Sequence, residues 1–191
     1  MTLPSFKRVV TGHDDRGRAI IVESGAPPQA FASRTLPGTV FHEIWKTHAT
    51  PAPIDNGPDP TRQPLQLPPP PRGSAVRVVD IPPDRIQDTL PAELMAAHFL
   101  EMGAAHVGEA GRDARHRFMH RTETVDYGIV VSGKVWLVLD EGEIELAPGD
   151  VVVQRGTHHA WSNRTEDMAR MVFVLLDGRF PPSPAAGERE A

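Results

Sequence analysis

Two blocks in the C-terminal half of the chain carry residues able to do chemistry. The first runs His120-Arg121-Thr122-Glu123-Thr124-Val125-Asp126 and ends at Ser132-Gly133; the second runs from Pro148-Gly149-Asp150 through His158-His159-Ala160-Trp161-Ser162-Asn163. Side chains alternate faces along a strand. If the first block is extended, His120, Thr122, Thr124 and Asp126 share one face, and Arg121, Glu123 and Val125 the other. In the second block His159, Trp161 and Asn163 share a face, while His158 points away. Imidazoles and a carboxylate from two hairpins can therefore converge, the means by which a small barrel builds a metal or ligand site. On this parity His159 and Asp126 are the candidate catalytic pair, with Thr122, Trp161 and Asn163 as candidate pocket residues and Trp161 as an aromatic wall.

The elements that must position these residues are mostly strands. Six short β-type runs follow one another from Gly128 to Leu176, separated by tight turns such as Asp140-Glu141-Gly142 and Ala147-Pro148-Gly149. Close spacing of short strands argues for an antiparallel sandwich or barrel. Upstream, Phe6–Val10, Ala19–Val22, Thr39–Trp45 and Ala75–Ile81 read as further strands, and Pro91 to Met102 as one short helix with proline in its first turn and Gly103 beyond its end. From Thr50 to Gly73 prolines dominate, which removes backbone donors and predicts a surface strap or linker without regular structure. The expected organisation is N-terminal strands and strap over residues 1–74, a barrel over 75–180, and a polar, disordered tail over 181–191.

Composition narrows the partners. A chain of 191 residues holds one well-buried core. Its 20 basic and 25 acidic side chains give a net charge of −5, with no basic cluster to suit nucleic acid or an anionic membrane. Cysteine is absent, so a metal would be held by nitrogen and oxygen alone. No run approaches the roughly 20 apolar residues of a membrane span, and MTLPSFKRVV lacks an apolar signal core, so a cytoplasmic protein is expected. Nothing in the chain reads as a dinucleotide fingerprint, a phosphate loop or a nucleophile elbow.

Both blocks resemble the paired motifs of the cupins, small β-barrels whose first motif is histidine, any residue, histidine, three or four residues, glutamate, six residues, glycine. Counting back from Gly133 puts Asp126 in the glutamate place, Thr122 in the second histidine place and His120 in the first. Gly149, Gln154-Arg155-Gly156, His159 and Asn163 match the second motif, with glutamine in place of proline and one residue fewer after Gly149. The phrases GDVVVQRG, HAWSN and HRTETVDYG also resemble a bacterial subgroup of single-domain cupins of largely unassigned activity.

The resemblance implies an all-β, double-stranded β-helix (jelly-roll) barrel with an N-terminal strand extension, and a homodimer formed through edge strands. It also implies a divalent metal, iron, zinc, manganese or nickel, held by three histidines and a glutamate. Here His120, Asp126 and His159 leave a two-histidine, one-carboxylate set, suited to non-haem iron and compatible with zinc or manganese. The alternative is a metal-free barrel in which Asp126 and Thr122 hydrogen-bond locally and His159 is a satisfied buried histidine. His116, of the same parity as His120, is a further candidate ligand or else a loop histidine. Two functions follow: a small-molecule enzyme with dioxygenase-, isomerase-, lyase- or cyclase-like chemistry, or a non-catalytic metabolite-binding or sensing barrel.

Overall fold

The computed structural model describes residues 3–104 and 115–181. Its elements are β1 (Arg8–His13), β2 (Ala19–Gly25), β3 (Gln29–Ala32), β4 (Val40–Thr47), β5 (Ser74–Ile81), a 3-10 turn at Asp84–Ile86, α1 (Ala92–Glu101), β6 (Thr124–Ser132), β7 (Val135–Leu139), β8 (Glu143–Leu146), β9 (Val151–Arg155), β10 (His159–Ser162) and β11 (Ala169–Asp177). A six-stranded sheet in the order β3-β4-β5-β11-β6-β9 packs against a three-stranded sheet, β10-β7-β8. All pairings are antiparallel. This is the antiparallel sandwich expected from the spacing of the strands, in the jelly-roll arrangement that the resemblance implies.

Alternation explains which faces close on each other. Along β5, Ala75, Arg77 and Val79 are buried on the inner face, while Asp80 turns outward. The core between the sheets gathers Phe41, Val130, Leu137, Met171, Phe173 and Leu175. Two glycines are demanded by this packing. Gly133, at φ 74°, makes the β6–β7 turn, and a Cβ there would lie 2.8 Å from the Ala169 backbone. Gly128 lies under the Trp161 indole, whose ring would be 3.3 Å from an added Cβ.

β4 pairs along β5, so β3 and β4 are strands of the barrel sheet itself, and β3 is an element that the sequence reading did not include. Only β1 and β2 form a separate ribbon. The proline-rich segment contains no helix or strand and is tied along the molecule as a strap. Asn56 exchanges two hydrogen bonds with the His13 backbone, and Arg8 reaches Asp59 at 2.7 Å and Thr61 at 3.3 Å. Pro181 is exposed, and residues 182–191, expected to be disordered, lie outside the described residues. Among the described residues no helix is long and apolar enough to cross a membrane.

Candidate active site

His120 and His159 are brought together by the backbone before their side chains meet. An isolated antiparallel bridge joins the two residues, with N–H to O distances of 2.8 and 2.9 Å. Their rings then lie 4.3 Å apart between centroids. His120 is not on a continuous strand with Asp126, since β6 begins at Thr124, yet the expected parity holds: Thr122, Thr124 and Asp126 are buried, and Arg121, Glu123 and Tyr127 are exposed.

Both imidazoles are oriented by partners outside the cavity. His120 Nδ1 lies 2.8 Å from Phe118 O, and donation to that carbonyl leaves the Nε2 lone pair free. His159 Nδ1 lies 2.9 Å from Thr157 O, with the Gln154 amide also 2.9 Å away. Gln154, which stands where the motif has proline, also donates to Thr157 O and faces Asp126 in the β6–β9 register. It therefore holds the loop and the histidine in one place. Burial lowers the pKa of both rings, that of His159 well below the usual value and further through its neighbour His120, so each is neutral near pH 7.

The cavity that these residues line has a volume of about 150 Å³. Trp161 stands edge-on to His159 at 5.7 Å and to Phe173 at 5.3 Å, forming the aromatic wall. Phe41 and Phe118 complete an apolar lining, and α1 contributes His98 and Phe99, with Met102 from its C-cap. His98 accompanies the two expected histidines. Its Nδ1 is 3.1 Å from Ser33 Oγ, and burial, reinforced by His120, pushes its pKa down to about 4.

Asp126 lies on the inner face of β6, opposite Leu175 of β11. Burial pushes its carboxyl up to about 6, against the opposing pull of the Thr124 hydroxyl and the Arg77 charge. Arg77 lines the same cavity from β5, only 2% exposed, with Nη2 donating to Gln66 O at 3.0 Å and Nε 3.1 Å from Glu43 Oε1. Glu43 is itself paired with Lys46 at 2.7 Å. Nη1 of Arg77 and Oδ1 of Asp126 are buried without a hydrogen-bond partner among the described residues.

Thr122 and Trp161 line the cavity as expected, but Asn163 does not. Its Nδ2 donates to Ile81 O and Asp167 O, and its Oδ1 accepts from the backbone N–H and hydroxyl of Thr165. All of its polar capacity is spent on the turn after β10, so strand parity misassigned it. His116 sits 3.6 Å from Asp84, away from the cavity lining, and His158 pairs with Asp140 at 2.7 Å on the outside. Arg121 and Glu123, on the opposite face, engage Phe180: the guanidinium stacks on its ring and Glu123 accepts its backbone N–H.

The Nδ1 of His120 is anchored to a carbonyl, which leaves its Nε2 suited to metal binding. However, among the described residues no group of three His, Asp or Glu side chains is close enough to hold one ion. Asp126 does not complete the histidine pair into such a group. Among the described residues, two nitrogens fall short of the three protein ligands of a usual catalytic metal site.

A family profile described as "Cupin domain" matches residues 105–175. Over 182 residues the chain is 34% identical to "Phomopsin biosynthesis cluster protein C'" of Diaporthe leptostromiformis, covering 90% of this chain and 78% of that protein. It is 29% identical over 181 residues to "Cupin-domain-containing oxidoreductase fogC" of Aspergillus ruber, covering 89% and 71%. A Cupin 2 conserved barrel domain protein of Salinispora arenicola aligns in structure with a TM-score of 0.38 and 15% identity, over 78% of this chain and 82% of that chain. With the paired motifs, the barrel and a relative matched along most of its length, the chain belongs to the cupin superfamily.

Proposed function

We propose that this cupin is an enzyme that transfers protons within a small, mostly apolar substrate held in the barrel cavity. One observation carries the reading: a largely aromatic cavity is lined by a carboxyl raised to about 6 together with neutral imidazoles. Asp126 exchanges a proton close to neutral pH. His159, fixed by Thr157 and Gln154, offers Nε2 as the second proton-transfer group. The apolar walls exclude water and strengthen both interactions. Such a site suits proton abstraction beside a carbonyl, the opening step of isomerase-, lyase- and cyclase-like reactions. Relatives named as biosynthesis-cluster proteins and cupin oxidoreductases support a small-molecule enzyme over a sensing barrel.

Deuterium uptake from D2O tests this. With 2-hydroxycyclohexanone as probe, the protein should speed exchange at the carbon next to the carbonyl, with a rate that rises through about pH 6 and falls at least 100-fold in His159→Ala and Asp126→Asn variants. Exchange at the buffer rate would refute the reading. The second reading is a metal-dependent oxidoreductase, favoured by the Nε2 of His120 and the named relatives. It predicts that a chelator abolishes turnover and that one divalent metal restores it; the proton-transfer reading predicts no chelator effect.

A further inference from the structure

Arg77 lines the cavity at only 2% exposure, and its Nη1 has no hydrogen-bond partner among the described residues. Register places it opposite Phe173 on β11, while Asp126 on β6 lies opposite Leu175, so both project from the same face with only β11 between them. Of the buried atoms without a hydrogen-bond partner among the described residues, Arg77 Nε and the two Glu43 oxygens are held in ion pairs, while Arg77 Nη1 and Asp126 Oδ1, both from cavity-lining residues, are complementary. Arg77 Nη1 is a donor, and Asp126 Oδ1 is an acceptor whenever the carboxyl is ionised. A buried donor left unpaired is costly, and so is a buried acceptor. A single ligand group that accepts from one and donates to the other relieves both costs. A hydroxyl does this; an ether, a ketone or a hydrocarbon does not.

Charge points the same way. Arg77 and Lys46 are balanced by Glu43 and Asp126 in one buried network, two cations against two anions. A carboxylate or phosphate ligand would add an uncompensated negative charge in a low-dielectric enclosure, whereas a neutral hydroxyl adds none. The volume of about 150 Å³, with aromatic walls, matches the space that takes up one benzene-sized ring.

We propose that the cavity selects a neutral one-ring molecule bearing a hydroxyl, which Arg77 Nη1 and Asp126 Oδ1 grip from either side. The inference rests on the cavity being the substrate site and adds the class of substrate and the residue that reads it. Arg77 is a specificity-determining residue: it donates to the hydroxyl oxygen, Asp126 takes the hydroxyl hydrogen, and Trp161 and Phe173 face the ring.

Calorimetric titration of the full chain at pH 7.5 with phenol, toluene and benzoate tests this. Phenol should bind at least ten-fold more tightly than toluene, and benzoate more weakly than phenol. In Arg77→Met the preference for phenol over toluene should disappear while toluene still binds; Arg77→Lys, which keeps the charge without the fork, should lose most of the preference. Thermal melts of both variants separate misfolding from lost recognition, and a variant that fails to fold moves the test to Arg77→Lys. Equal binding of phenol and toluene would overturn the hydroxyl grip and leave the cavity intact as a site. A phenol preference that survives in Arg77→Met would overturn the role of Arg77, and tighter benzoate would overturn the neutral class. Failure of all three to bind would sink both this inference and the cavity as the substrate site.

Discussion

Two buried arginine–aspartate arrangements sit on the same sheet and differ in how completely they are satisfied. On the outer face, Arg170 grips Asp80 with Nε and Nη2 at 2.6 and 2.9 Å, donates from Nη1 to Pro4 O at 2.6 Å, and is covered by Phe6; His42 closes on the other side of Asp80. On the inner face, three residues earlier on β5, Arg77 and Asp126 share a cavity with open hydrogen-bonding positions. The saturated pair ties the N-terminal segment to the barrel. Open positions inside a cavity instead mark a place where something binds. The difference shows why a buried ion pair by itself says little about function: its unfilled valences do.

Breaking the outer pair has the largest expected effect. Arg170→Met strands Asp80 in a half-dry site and should cost about 3–5 kcal/mol in urea unfolding without altering the relative binding of phenol and toluene. Arg77→Met should cost only about 1–2 kcal/mol, because Lys46 still holds Glu43 and Asp126 takes up a proton. Equal losses in the two variants would erase the distinction.

Acid should unfold the inner site first. The folded pKa of His98 is depressed to about 4, so its contribution is present above pH 6.5 and lost as pH falls, by about 2 kcal/mol at pH 5. His120 and His159 act in the same direction. Asp126 opposes them, since a raised carboxyl contributes stability below its ordinary 3.8 that is lost as pH rises through about 6. Three histidines outweigh one carboxyl, so stability should decline from pH 7 to pH 5, and His98→Asn should flatten that decline. Asp126→Asn should accordingly stabilise the fold at pH 7.5 by about 1–2 kcal/mol, a gain that vanishes below pH 4. The smallest effect is expected of Gln154→Ala, about 1 kcal/mol of stability, with a loss of turnover larger than that of binding as His159 loosens.

Most of the barrel was legible because short alternating strands and glycine turns are local signals. The 3.8 Å spacing of the chain and the two-residue period also sufficed to bring His120, Thr122, Asp126, His159 and Trp161 to one cavity. Parity failed at Asn163, where the strand has ended and the side chain serves the turn. Arg77 was recoverable in principle, since it interrupts the inward series Ala75, Val79 and Ile81, and a charge on an apolar face is a signal. Glu43 on β4 lies on the inner side, and pairing it with Arg77 required the β4–β5 register, which no local pattern encodes. His98 was hidden for the same reason, because its helix reaches the cavity only through the tertiary fold. Convergence of a metal set is also a matter of distances between elements, and spacing along the chain could not supply it.

The carboxyl of Asp126 is raised to about 6 in a cavity whose arginine keeps Nη1 open. Carboxyl carbon-13 NMR of the protein, titrated with pH and assigned through Asp126→Asn, measures this directly. A midpoint near 6 that shifts when phenol is added is the expected result. A midpoint below 4, unmoved by phenol, would contradict it.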